Sequence, residues 1–334
     1  MPELPITVAR NAMATRFEIA LFGGDPVDLR AAAEEALEEV QRVETMLSWR
    51  RPASPLARVN ACAGQEPVRV NPELFALLRR CRELSELGNG AFDITVGPLM
   101  RAWGFHATDG QVADEAALAA AQQACGMRFV ELDEAGLTVR FTRPGMRLDF
   151  GAIGKGYALD LAAEVLRDAG VTSALIHGGT STVYAIGRPL GEAGWKIAVE
   201  YPPGASVGDP LPVLTVLSLC DTALSVSAVW GRVFRVGQDT FGHVIDPRLG
   251  RPANRALLSI FISPNATESD ALSTALLVEG PPGVAELCER CPAARTLLLA
   301  PGARESSYEI AAHGIDWRPL PAANSPVAGP ADKS

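Results

Sequence analysis

The 334-residue chain has only four histidines and six cysteines, aromatic residues make up 6% of it, and it carries no excess of basic charge. Each scarcity excludes something. Cys62, Cys81, Cys125, Cys220, Cys288 and Cys291 are too dispersed for a disulfide framework and suit a reduced, cytoplasmic protein. A formal charge of −9 argues against a general nucleic-acid binder, which presents a basic face. It does not exclude a small anionic ligand, because one lysine and one metal ion can outweigh the global field. No apolar run reaches the roughly 18 residues of a membrane span. Met1-Pro2-Glu3-Leu4-Pro5 has no basic segment followed by an apolar run, so no signal peptide and a cytoplasmic location are expected. There is no internal repeat and no flexible linker in the middle of the chain. Cys288-Glu289-Arg290-Cys291 has Cys-x-x-Cys spacing, but it lacks a second pair and lies in a helical pattern, which favours ordinary helix positions over metal or redox use.

What is present is a large core. Hydrophobic residues make up 48% of the chain and charged ones 21%, the composition of a globular protein. One unit of two intimate subdomains is expected over residues 5–320, with the Pro, Ala and Ser-rich stretch 321–334 disordered. Two strands are expected between Thr7 and Phe22, broken at Asn11-Ala12. Helices are expected over Asp28–Leu47, from Asn71-Pro72 to Gly88, over Asp114–Ala124, Lys155–Ala169 and Glu268–Val278, and near Gly283–Arg290. Short strands are expected near Arg128–Leu132, Leu137–Phe141 and Arg147–Phe150, with further strands between Ser173 and Ala300. The mixed order predicts an α+β fold with mixed sheets flanked by helices.

The most informative stretch runs from Leu148-Asp149-Phe150-Gly151-Ala152 to Ile153-Gly154-Lys155-Gly156 and on to Asp160. It reads as a strand end, a glycine-rich turn carrying a lysine, and a helix start. Bare backbone and free N–H groups at such a start can receive a phosphate. The spacing is neither that of a Walker loop nor that of a dinucleotide fingerprint, and a ligand-free tight turn explains it equally well.

Three other segments could carry chemistry. In Thr267-Glu268-Ser269-Asp270-Ala271-Leu272-Ser273-Thr274, Asp270 and Thr274 are four apart on a helix and share a face. A carboxylate plus a hydroxyl suits Mg²⁺, while capping by Thr267 or Ser269 suits the same residues. Gly242-His243-Val244-Ile245-Asp246-Pro247-Arg248 offers a histidine for acid–base work or for a turn hydrogen bond. Gly90-Ala91-Phe92-Asp93-Ile94-Thr95-Val96-Gly97-Pro98-Leu99, with Trp103-Gly104-Phe105, could wall a flat ligand or line the core.

Together and in this order, with Gly178-Gly179 between them, these segments resemble the FAD:protein FMN transferases, the ApbE-like family, over about Ala12 to Ala300. The resemblance implies an FAD and Mg²⁺ site in a cleft between two subdomains. It implies transfer of FMN from FAD to a Ser or Thr of an acceptor flavoprotein, beside small residues, with release of AMP. Asp270, Thr274 and the Ala152 carbonyl would hold the metal. Met13, Arg50, Ala91, Phe92, Asp93, Asp149, Lys155 and Val244 fall where the family contacts FAD. His243 falls at the family's functional histidine and is the candidate base, with Asp149 its rival and Lys155 a charge at the phosphates. An FAD pyrophosphatase and a non-catalytic FAD binder are the alternatives. The chain departs from the family at Met13-Ala14-Thr15 (commonly Met-Gly-Thr), at Arg50 (commonly Tyr) and at Thr180 (commonly Asn after Gly-Gly). Arg50 can stack on a flat ring as Tyr does.

Overall fold

The computed structural model describes residues 4–106, 112–203, 213–231, 233–236, 239–304 and 307–317. Its centre is one antiparallel sheet of eight strands: β1 (Ile6–Ala12), β2 (Thr15–Leu21), β3 (Ala174–Gly178), β4 (Thr182–Ile186), β5 (Thr222–Ala228), β6 (Leu258–Ser263), β7 (Arg295–Pro301) and β8 (Tyr308–His313). They lie side by side in chain order, so the sheet is a meander with everything else inserted between consecutive strands. Among the described residues there are eight α-helices: α1 (Pro26–Leu47), α2 (Pro55–Cys62), α3 (Pro72–Leu87), α4 (Gly97–Ala102), α5 (Glu115–Gln123), α6 (Gly154–Asp168), α7 (Ala266–Glu279) and α8 (Pro281–Arg290). The α+β class expected from the element order is the one found.

Period-two alternation gives the sheet two dry faces. In β3, Ala174 and Ile176 join the core under α1, α6 and α7, while Leu175 between them joins the opposite core. That second core is closed by the antiparallel pair Trp195–Glu200 and Val213–Leu219. Helix α7 is buried on nearly every side, the signature of a central helix rather than a surface one. The long insertion between β2 and β3 contributes α1 to α6 and a small sheet of Val68–Arg69, Thr138–Phe141 and Val130–Asp133.

Local corrections have local causes. The first hairpin turns at Met13-Ala14, both with positive φ (+51° and +59°), rather than at Asn11-Ala12, which belong to β1. Arg147–Phe150 forms no strand and pairs with none among the described residues. The Asn60 side chain takes both polar groups of Leu148, at 2.7 and 3.0 Å, and the Asp149 N–H donates to the Ile94 carbonyl at 2.7 Å. Helix α7 is capped by Asn265, which accepts from Glu268 N at 2.8 Å, and not by Thr267 or Ser269. Cys288 is buried in α8, and burial pushes the Cys291 thiol up to about 11, so Cys291 is not a ready thiolate. The stretch 321–334 lies outside the described residues.

Candidate functional site

The site is assembled where α6 begins against the first turns of α7. Gly156 makes the approach possible. A Cβ there would lie 2.1 Å from the Ala266 carbonyl oxygen and 2.8 Å from Asp270 Cβ. With no side chain in the way, the Gly156 N–H donates to Asp270 Oδ2 at 3.0 Å. The positive end of α6 therefore faces the Asp270 carboxylate, which is only 4% exposed. Lys155 Nζ is 3.7 Å from Oδ1 of the same group, and Thr182 on β4 donates to that oxygen at 3.2 Å. One turn further along α7, Thr274 Oγ1 is bonded to the Asp270 carbonyl at 3.3 Å and lies 3.2 Å from Ser227 Oγ on β5.

Asp160 sets the register of the two helices. Projecting from α6, its carboxylate accepts from Ala266 N (2.7 Å), Thr267 N (2.8 Å) and Thr267 Oγ1 (2.5 Å). It supplies partners to the orphan donors that every helix start leaves open. Burial pushes the Asp160 carboxyl up while these three donors hold it down.

The donors around Asp270 are all oxygen: one carboxylate and the hydroxyls of Thr274, Ser227 and Thr182. Such a set fits Mg²⁺, which takes one or two carboxylates and leaves other positions to water or phosphate oxygens. Among the described residues no three His, Cys, Asp or Glu side chains converge to hold a metal unaided. Any ion at Asp270 would need hydroxyl, carbonyl and ligand oxygens to complete its shell. Ala152 lies in the turn just before α6, two residues ahead of Gly154.

A second group, built on Asp149, carries two residues that sequence reasoning missed. His106 Nε2 is 2.7 Å from Asp149 Oδ2, and Gly151 N donates to Oδ1 at 2.7 Å. The His106 ring stacks on Trp49 with centroids 4.2 Å apart, and the Arg50 guanidinium lies 4.8 Å from the centre of the same indole. Arg50 thus does stack on a flat ring, that of its own neighbour. His106 follows directly on the aromatic Trp103-Gly104-Phe105 segment, but nothing in the sequence ties it to Asp149 some forty residues later.

His243 stands in the third group. Its ring meets Phe105 edge-on, with centroids 6.5 Å apart. Val244 is half-buried beside it, and Phe105 and Ile245 share a small core with Leu99, Trp103 and Cys125. Trp103 Nε1 donates to the Gly250 carbonyl at 2.8 Å and so ties the aromatic loop to the turn after His243. Ala91 and Phe92 are buried. Asp93 is also buried, and its carboxylate is engaged internally by Thr95 N (2.8 Å), Thr95 Oγ1 (2.6 Å) and Met127 N (3.0 Å). Burial raises its pKa against those bonds, and its visible work is to hold the loop. Met13 sits in the β1–β2 turn with its N–H on Glu44 of α1 at 2.8 Å, and shares no hydrogen bond with the Asp270 group. Asp246 is tied up by Arg248 through three hydrogen bonds of 2.9 to 3.0 Å.

A buried carboxylate faces a helix start, with a lysine and hydroxyls around it. The sequence matches the ApbE family over residues 13–298. The chain belongs to the ApbE family. It is 32% identical over 312 residues to the FAD:protein FMN transferase of Treponema pallidum, covering 89% of this chain and 84% of that protein. It is 30% identical to an FAD:protein FMN transferase of Klebsiella pneumoniae, covering 77% of this chain and 80% of that one. Two solved structures share the fold of this ApbE-family chain. The ApbE protein of Thermotoga maritima matches with a TM-score of 0.78 at 28% identity, over 91% of this chain and 96% of that one. The flavin transferase ApbE of Vibrio cholerae matches with a TM-score of 0.78 at 25% identity, over 93% and 97%.

Proposed function

We propose that this ApbE-family chain is an FAD:protein FMN transferase. It moves the FMN half of FAD onto a Ser or Thr hydroxyl of a target flavoprotein and releases AMP. The observation that carries this reading is the meeting of Lys155, the start of α6 and the Asp270–Thr274 face of α7 at one point. Phosphoryl transfer asks for charge neutralisation and alignment more than for covalent help from the enzyme, and these residues supply both.

The acceptor oxygen attacks the FMN-side phosphorus, the bond from that phosphorus to the AMP oxygen breaks, and AMP leaves with that oxygen. Lys155 places a point charge beside the pyrophosphate, and α6 adds its positive end. Asp270, Thr274 and the Ala152 carbonyl would hold Mg²⁺, which when bound neutralises pyrophosphate charge. His243 takes the proton of the attacking hydroxyl. Asp149 fits that role less well, because Gly151 N and His106 already occupy its oxygens. Its role is to orient His106 beside Trp49 and so to shape the wall against which FAD lies. Asp93 acts by fixing the Ala91–Asp93 loop, and Met13, Arg50 and Val244 complete the FAD contacts. The layer of α6 and α7 and the loops carrying His106 and His243 would hold FAD between them, at the junction of two subdomains.

No helix among the described residues is long and apolar enough to cross a membrane. All six cysteines are free thiols, which supports a reducing, cytoplasmic setting.

The test is to incubate the protein with FAD and Mg²⁺, with and without a peptide bearing a Ser or Thr among small residues, and to weigh the products. One FMN gained by the peptide, lost with EDTA and with Asp270→Ala, supports the transferase. FMN and AMP released with no adduct on any acceptor would point to a pyrophosphatase. Tight FAD binding without turnover would leave a binding protein.

A further inference from the structure

Asp149 pairs with His106, while Arg147, two residues earlier, lines a cavity of about 650 Å³. That cavity lies between α2, α4, α5 and the segment ending at Arg147. Pro98, Ala102, Ala117 and Met146 give it an apolar lining, and Arg101, Arg143 and Arg147 are its charged lining residues. Among the described residues no Asp or Glu lines it. Arg42, Arg80 and Arg248 elsewhere each hold a carboxylate within 3.0 Å. None of the three cavity arginines has a carboxylate of the described residues within ion-pair distance, and Arg143 lies instead 4.6 Å from the centre of the Phe129 ring.

Three arginines around one cleft with no carboxylate of the described residues paired to them, in a chain whose net charge is −9, favour an anionic visitor. Guanidinium groups grip carboxylates through paired N–H donors. The apolar lining adds something an inorganic anion would not use but a peptide would. Continuity with the site is built in. Asn60, at the cavity wall, fixes the backbone of Leu148 through two hydrogen bonds, so the cavity and Asp149 are held by the same stretch of chain. Two residues of chain span at most about 7 Å.

We propose that this cleft docks an acidic segment of the acceptor protein, and so holds the acceptor with its hydroxyl at the transfer site. The proposal rests on the transferase reading above for its partner, though not for its binding chemistry. In the docked state the carboxylates of the segment pair with Arg101, Arg143 and Arg147, and its apolar side chains lie over the alanines of α4 and α5.

The test uses the full chain loaded with FAD and Mg²⁺ and a fluorescein-labelled hexapeptide of Asp, Glu and Leu, with a Lys-for-acid twin as control. Anisotropy should report binding of the acidic peptide, little binding of the twin, and at least a tenfold loss with Arg101→Ala/Arg147→Ala while FAD affinity is unchanged. Because Arg101 is exposed, Arg101→Glu serves as a second variant that leaves the core alone. Equal binding to all variants, or equal binding of the two peptides, would overturn the proposal. Displacement of the acidic peptide by inorganic phosphate or AMP at matching concentrations would reassign the cleft to a small anion and overturn it as well. A transfer arm compares two peptides with the same Ser or Thr and either acidic or basic flanks. The acid-flanked peptide should gain FMN at least tenfold faster, and Arg101→Glu/Arg147→Glu should invert that preference. If neither peptide gains FMN, the transferase reading suffers, and the anisotropy result still decides the docking.

Discussion

Replacing Gly156 with alanine, and separately Gly154, tests what the glycines at the start of α6 are for. An alanine Cβ at 156 would lie 2.1 Å from the Ala266 carbonyl oxygen, 2.6 Å from its carbon and 2.8 Å from Asp270 Cβ. Carbon atoms pack at about 3.5 Å, so α6 and α7 would have to part by roughly 1 Å. Overpacking of that kind costs about 1–3 kcal/mol. Parting the helices also weakens the N–H to carboxylate bond on Asp270, a class of bond that contributes about 1.5–3 kcal/mol. The helix preference of Ala over Gly returns up to about 1 kcal/mol. The net expectation is a loss of about 2–4 kcal/mol. At Gly154 the nearest atom to an added Cβ is Leu47 Cδ1 at 3.5 Å, ordinary contact, so Gly154→Ala should be neutral or stabilising by up to about 1 kcal/mol. Urea unfolding at constant slope measures both. FAD titration should show weaker binding for Gly156→Ala only. If both substitutions stabilise the chain, the close helix approach is not what Gly156 provides, and the account of how Asp270 is placed fails with it.

Ala14 holds a positive φ that L-residues adopt at a cost of about 1–2 kcal/mol, part of which glycine's greater freedom in the unfolded chain takes back, so Ala14→Gly should raise stability by about 0.5–1 kcal/mol in the same unfolding assay. Asp160→Ala leaves the Asn265 cap of α7 in place but removes the acceptor for Ala266 N and Thr267 N, and should cost about 2 kcal/mol, near the upper end for groups that satisfy a helix start. It should also weaken FAD binding through Asp270, whereas a surface cap such as Asp114→Ala should leave binding intact; equal effects on binding would count against the cross-helix link. Burial holds the His177 imidazole below its ordinary 6.5, with Glu18 across the β2–β3 pair opposing the shift. The unfolded chain therefore takes up this proton first, so stability should be full above about pH 6.5 and decline as pH falls toward the lower folded value. Unfolding midpoints from pH 8 to 5 should show His177→Asn with a flatter profile, and an unchanged slope would remove His177 as the cause.

The long helices were legible because their apolar spacing and caps are local. Asn71-Pro72 opens α3 as its residues suggest, and α6 stops at Ala169-Gly170 with Gly170 at a φ of +79°. Ser54-Pro55 is the same kind of signal, with Ser54 accepting from Ala57 N at 2.9 Å, and it marks α2, a helix absent from the sequence-based expectations. Arg147–Phe150 looks like a strand because its residues favour extended backbone. Whether another strand lies alongside is decided elsewhere in the chain, and here a side-chain amide takes the place. The pairing of Asp270 with Thr274 follows from helix geometry alone. The contacts of Asp270 with Lys155, Gly156 and Thr182, and of Asp149 with His106, join residues 88 to 115 and 43 positions apart, and no local pattern encodes them.

The meander has a kinetic consequence. Leu21 pairs with Ala174, so registering β2 on β3 closes a loop of roughly 150 residues, while the other sheet pairings close far shorter ones. Closure of that loop is entropically the most demanding event in building the sheet and belongs to the slow, non-local class of folding steps. Lys155 and Asp149 ride inside the loop, whereas Asp270 and Thr274 ride outside it on α7. The candidate site therefore exists only in molecules whose loop has closed. A ligand bridging the two halves acts as a clasp on that closure, slowing its reopening and making ligand capture a clock for the last long-range step of folding.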